Sequence, residues 1–143
     1  MIKIPLERRV ILRLQGSQTG VSDMSAVLIT NNLLFSSQVA SAAAKAGIEL
    51  KSLSSVENFH ETADGASLLL VDLSTPGMRI TDLVARARTL DSPPTEIVAF
   101  GPHVHEARLM AARTAGCNQV LSQGAFSTEM NGILARAAQR EQH

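Results

Sequence analysis

The chain has 143 residues, 45% of them apolar and 18% charged, which suits one domain with a packed core and argues against disorder. Aromatic content is 3%, all of it Phe, which speaks against base-stacking platforms for single-stranded nucleic acid and against ring platforms for carbohydrate. The formal net charge is zero, the one cysteine (Cys117) excludes an intrachain disulfide or a multi-cysteine metal site, and no apolar run has the length of a signal-peptide core or a membrane span. A reducing cytoplasm is the expected location.

In chain order, residues 1–23 differ in character from the remainder of the chain. Lys3, Arg8, Arg9 and Arg13 stand against Glu7, so residues 1–15 carry +3 and the remainder −3. A solvated surface segment explains this more simply than an anionic partner. Val10, Leu12 and Leu14 alternate with Ile11, Arg13 and Gln15, a pattern for one extra strand, and Gly16 to Gly20 reads as a linker. The expected division is an N-terminal arm at 1–23 and a regular domain at 24–143. Met24 is itself a potential translation start, and the arm is open to three readings: edge strand, partner-binding arm or upstream artefact.

From Ser25 onward strand and helix patterns alternate. Ala26 to Ile29 is a continuous apolar run, as in a strand buried on both faces. Asn31 or Asn32 can cap the next helix, in which Phe35, Val39, Ala42 and Ala46 share a face and Gly47 closes the end. Ile48 to Leu53 gives a second strand, and Ser54-Ser55-Val56-Glu57 matches a capping box opening a short helix. Ser67 to Val71 is the strongest strand signal and ends at Asp72. Ile80, Leu83, Val84 and Ala87 line a third helix, broken by Ser92-Pro93-Pro94. Ile97 to Phe100 is a fourth strand stopped by Gly101-Pro102. Val104, Ala107, Ala111 and Ala115 are expected to line the fourth helix, Gln119 to Leu121 a fifth strand, and Phe126, Met130, Ile133, Leu134 and Ala137 the last helix.

Five strands alternating with five helices imply an α/β three-layer sandwich: a five-stranded parallel sheet with helices on both faces. The flavodoxin-like order 2-1-3-4-5 is the commonest for this size, and it sets ligand chemistry at the C-terminal strand ends. Thr30, Asn31, Asp72, Gly101 and Gln123 fall there.

Asp72-Leu73-Ser74-Thr75-Pro76-Gly77-Met78 resembles the stretch of response-regulator receiver domains in which the phosphoacceptor Asp ends the third strand and a Pro-Gly loop comes next. Ala115-Gly116-Cys117-Asn118 is similar to that family's Ala-Gly-Ala step into the fifth strand. The resemblance spans residues 25–140 and implies a CheY-like fold, with Asp72 as candidate phosphoacceptor. The departures are as informative. The two acidic Mg²⁺ ligands of a typical receiver fall on Thr30 and Asn31, or on Asn31 and Asn32 in the next register. The Thr or Ser after strand four falls on Gly101, the Lys after strand five on Gln123, and the aromatic switch residue on Val120.

Phosphoryl transfer to a carboxylate relies on positioning and charge neutralisation, and Mg²⁺ seeks carboxylate oxygens. One Asp flanked by neutral residues offers a single anionic ligand where the family offers three. The resemblance with these losses implies a degenerate, or pseudo-, receiver: a non-enzymatic signalling module without a cofactor. Its partner is expected to be another protein, including a second copy of itself, and not nucleic acid or membrane. Two other functions compete: a working single-domain response regulator phosphorylated at Asp72, and a small-molecule or metal-binding domain. No DNA-reading output domain is expected, because the chain ends soon after the last helix pattern.

Each singled-out residue has a plainer reading. Asp72 can be an acid hydrogen-bonded to its own loop, and Asn31 and Asn32 can be helix caps rather than ligands. His103 and His105 with Asp72 have the ligand types for zinc or iron, yet no fourth ligand is evident and two solvated loop histidines explain them more simply, so no metal is assigned. Leu109 lies about opposite the expected stripe of the fourth helix, with Met110 on its flank, so these two and Val120 mark a possible interaction surface; single exposed apolar residues are also ordinary. No GxGxxG, Walker, GxSxG or HExxH motif occurs.

Overall fold

Alternating apolar runs and amphipathic helices build ten elements in a computed structural model, which describes residues 24–141. In order they are β1 (Ser25–Ile29), α1 (Leu33–Ala46), β2 (Glu49–Leu53), α2 (Phe59–Ala63), β3 (Leu68–Asp72), α3 (Ile80–Arg88), β4 (Glu96–Gly101), α4 (Glu106–Ala115), β5 (Gln119–Ser122) and α5 (Gln123–Glu141). The strand expected at Val10–Leu14, the linker after it and the arm's role lie outside the described residues.

The five strands pair in parallel in the order β2-β1-β3-β4-β5. Alternate side chains of the central strands enter two separate cores, because successive residues of a strand point to opposite faces. Ala26, Leu28, Leu68, Leu70, Val98 and Phe100 pack under α1 and α5, whereas Val27, Ile29, Leu69, Val71, Ile97 and Ala99 pack under α2, α3 and α4. This double burial is why β1, β3 and β4 read as unbroken apolar runs. Each Val, Leu, Ile or Phe side chain so removed from water stabilises the fold by about 1.5–3 kcal/mol. The first core is pinned by three rings. Phe100 stacks on Phe126 with centroids 4.2 Å apart, and Phe35 lies 5.2 Å from Phe100 and 5.7 Å from Phe126.

Helix ends obey the sequence where local chemistry dictates them. The Asn32 side chain accepts from the Phe35 amide at 3.0 Å, and Gly47 closes α1 with φ of 76°, a left-handed value that favours glycine. The edge strand β2 exposes Glu49, Lys51 and Ser52, and charge on an edge discourages pairing with other chains.

Two expectations need correction. The short second helix starts at Phe59, not at the Ser54–Glu57 box; Ser55 Oγ accepts from the Glu57 amide two residues on and closes a turn instead. The stripe of the fourth helix is also rotated. Val104 is 71% exposed and precedes the helix, Ala107 is exposed, and the buried residues of α4 are Leu109 and Ala112. Ala111 and Ala115 sit on the flank of the core. The larger apolar side chain takes the buried face, because burial is worth more for Leu than for Ala. Leu109 is therefore a core residue and not part of an exposed surface.

Candidate functional site

β3 carries Asp72 to the C-terminal edge of the sheet, where its Cα pairs with Phe100 of β4 and where β1 ends beside it. The Asp72 side chain is 4% exposed and Thr30, just beyond β1, is equally buried. The Thr30 hydroxyl donates to Asp72 Oδ2 at 2.7 Å across 42 residues of sequence, and the Ser74 amide donates to Asp72 Oδ1 at 2.9 Å. Both carboxylate oxygens are thus engaged by neutral donors. Thr30 Oγ1 also accepts from the Asn32 amide at 3.2 Å, so the same hydroxyl shapes the turn into α1.

The loop after Asp72 is fastened from several sides. Thr75 is buried, and its hydroxyl donates to the Asp72 carbonyl at 2.7 Å. The Leu73 amide donates to the Phe100 carbonyl at 2.8 Å, and an Arg108 guanidinium N–H from α4 reaches the Leu73 carbonyl at 3.3 Å. Gly101 ends β4 against Leu73: a Cβ built on Gly101 would lie 3.3 Å from Leu73 Cβ. The leucine therefore fills the space that a side chain at Gly101 would need. Sequence reading missed these roles of Leu73, Ser74, Thr75 and Arg108. The Asp72-x-Ser74 turn had a local signal, since an Asp commonly accepts from the amide two residues on.

The structure hydrogen-bonds Thr30 to Asp72 and sets Gly101 against the next residue, Leu73, while Asn31 and Gln123 make no hydrogen bond to the Asp72 carboxylate. Asn31 is exposed. Gln123 is the first residue of α5, half-buried, and makes no hydrogen bond to Asp72. Val120, opposite Ala99 in the sheet, is half-buried against the second core. Met110 is 60% exposed on α4, facing away from buried Leu109. His103 and His105 are exposed, and no three His, Cys, Asp or Glu side chains come together among the described residues, so His103, His105 and Asp72 do not form a metal-ligand set.

This donor set does not fit the Mg²⁺ ion of a working receiver. A hard divalent cation needs several oxygen ligands, with anionic ones favoured, and here one carboxylate already accepts two hydrogen bonds beside a hydroxyl and neutral amides. No helix among the described residues is long and apolar enough to cross a membrane.

No family model and no curated protein matches the sequence. Solved structures do. The receiver domain of a sensor histidine kinase from Pseudomonas aeruginosa PAO1, solved with a magnesium ion coordinated in its active-site cleft, superposes with a TM-score of 0.68 at 15% identity, over 81% of this chain and 98% of that one. A response regulator receiver domain protein from Clostridium thermocellum gives 0.65 at 12% identity, over 83% of this chain and 97% of that one. FixJ-N gives 0.67 at 18% identity, over 82% of this chain and 94% of that one. Sequence identities this low speak for architecture alone, and the architecture is clear: this chain has the CheY-like fold of response-regulator receiver domains.

Proposed function

We propose that this chain is a degenerate receiver, a non-enzymatic cytoplasmic signalling module that acts by binding another protein and does not undergo Mg²⁺-dependent phosphorylation at Asp72. The observation that carries the reading is a buried carboxylate whose two hydrogen-bond donors are both neutral. A phosphoacceptor must offer a carboxylate oxygen to the incoming phosphorus, with a cation and further positive charge to neutralise the phosphoryl oxygens. Asp72 instead holds the Thr30 hydroxyl at 2.7 Å and the Ser74 amide at 2.9 Å in a position 4% exposed. Its neighbours in the resembled positions, Asn31, Gly101 and Gln123, bring no charge. Receiver folds transmit by surface contact, so a chain that keeps the fold and lacks the reactive set is suited to constitutive binding, or to binding triggered by something other than an aspartyl phosphate.

Incubation of the full chain with a small acyl phosphate and Mg²⁺, then intact mass spectrometry, tests this. The expected result is an unchanged mass. A stoichiometric phosphoryl adduct that disappears in Asp72→Asn would instead establish a working receiver.

A further inference from the structure

A cavity of about 510 Å³ lies between the loop after β3, the start of α3 and α4, and its lining includes Ser74, Arg79, Thr81, Asp82 and Arg108 but not Asp72. It adjoins the strand-edge site through Leu73, Ser74 and Thr75 without including Asp72, and its volume falls within the roughly 300–1,000 Å³ range of small-molecule pockets. Two arginines, a serine, a threonine and one aspartate are among the polar side chains that line it. Arg79 pairs with Asp82 at 3.6 Å, with the side chains 83% and 69% exposed. Such a solvated pair contributes little to stability, so a ligand can displace it at little cost. Arg108 gives one N–H to the Leu73 carbonyl at 3.3 Å and retains further donors, since a guanidinium has five. Ser74 Oγ and Thr81 Oγ1 make no hydrogen bond among the described residues.

We propose that this cavity binds a small phosphate ester. Arg79 and Arg108 hold the phosphate oxygens, because the planar guanidinium fork matches phosphate geometry. Ser74 and Thr81 add neutral donors, and Asp82, once released from Arg79, accepts from a hydroxyl on the ester's organic part. A bare anion would leave that carboxylate repulsive and most of the volume empty.

The test is titration of the ¹⁵N-labelled chain with ribose 5-phosphate at fixed ionic strength, with ribose as control, read by amide chemical shifts. Saturable shifts are expected at the loop and α3 residues from Ser74 to Asp82 and near Arg108 in α4, and ribose should cause none. Each lost charge-assisted contact weakens binding by about tenfold or more. Arg79→Ala removes an exposed side chain that leaves the core intact, and Arg108→Lys retains charge while losing the fork; both should show the weaker affinity. Absence of saturable shifts, equal shifts with ribose, or affinity unchanged in both variants would overturn the proposal. Binding here leaves the chain's mass unaltered, so this outcome is independent of the phosphorylation test at Asp72.

Discussion

The hydrogen bond from Thr30 to Asp72 is the contact on which the chemistry of the strand edge turns. A buried carboxylate that loses a hydroxyl donor keeps the desolvation cost of an unpaired oxygen, about 1–3 kcal/mol. Thr30→Val keeps the shape and removes the hydroxyl, so it should lower the unfolding free energy in urea by that amount, whereas Thr30→Ser should retain most of the wild-type stability. Equal stability of Thr30→Val and wild type would mean that water satisfies Oδ2 in place of the hydroxyl. Asp72 itself was legible, because an apolar run ending in Asp before a Ser-Thr-Pro-Gly loop is a local pattern. Its engagement with Thr30 was not, because the partners are 42 residues apart and meet only when β1 and β3 pair. A second residue-scale prediction concerns Cys117. Burial pushes its thiol up from the usual 9.0 to about 11, outweighing the nearby Arg88 charge and a backbone hydrogen bond that pull it down. Thiolate is the nucleophile, so the rate of modification by a disulfide reagent at neutral pH should be far lower in the native protein than in urea. Below about pH 9 the thiol is protonated in both states. Between 9 and 11 the unfolded chain binds fewer protons, so this group's contribution to stability is lost as pH rises through that window.

At the scale of elements, α4 separates what periodicity can and cannot reveal. α3 was legible because Ile80, Leu83, Val84 and Ala87 are the buried set and three of them are large. In α4 the candidate stripe consisted of alanines plus Val104, which precedes the helix, and small side chains carry too little burial energy to fix a phase. Leu109 and Ala112 took the core face. Leu109→Ala should therefore cost about 2–5 kcal/mol, as expected for a leucine removed from a packed core. Met110→Ala should change stability by less than about 0.5 kcal/mol. The reverse ordering in denaturant melts would contradict the assigned face. The edge of α2 was hidden for another reason: Ser55 satisfies the Glu57 amide in a turn, which uses the same residues that would otherwise cap a helix. α1 was legible at both ends, because Asn32 and Gly47 act through local geometry alone.

For the molecule as a whole, the alternation of elements and the right-handedness of crossovers narrowed the sheet to a few orders, of which the commonest is the one observed, while the state of the strand edge was not legible. The fold brings the ends of β1, β3 and β4 together and sets the ring cluster of Phe35, Phe100 and Phe126 beneath one face. It retains the receiver architecture around a buried carboxylate whose two oxygens each accept from a neutral donor. On this account the cleft has no appreciable affinity for Mg²⁺, and that is measurable without knowing any partner. In a Mg²⁺ titration of the ¹⁵N-labelled chain, the amides of Thr30, Asp72, Leu73 and Ser74 should keep their positions at concentrations well above those that load working receivers. Saturable movement of those signals, abolished by Asp72→Asn, would contradict the account.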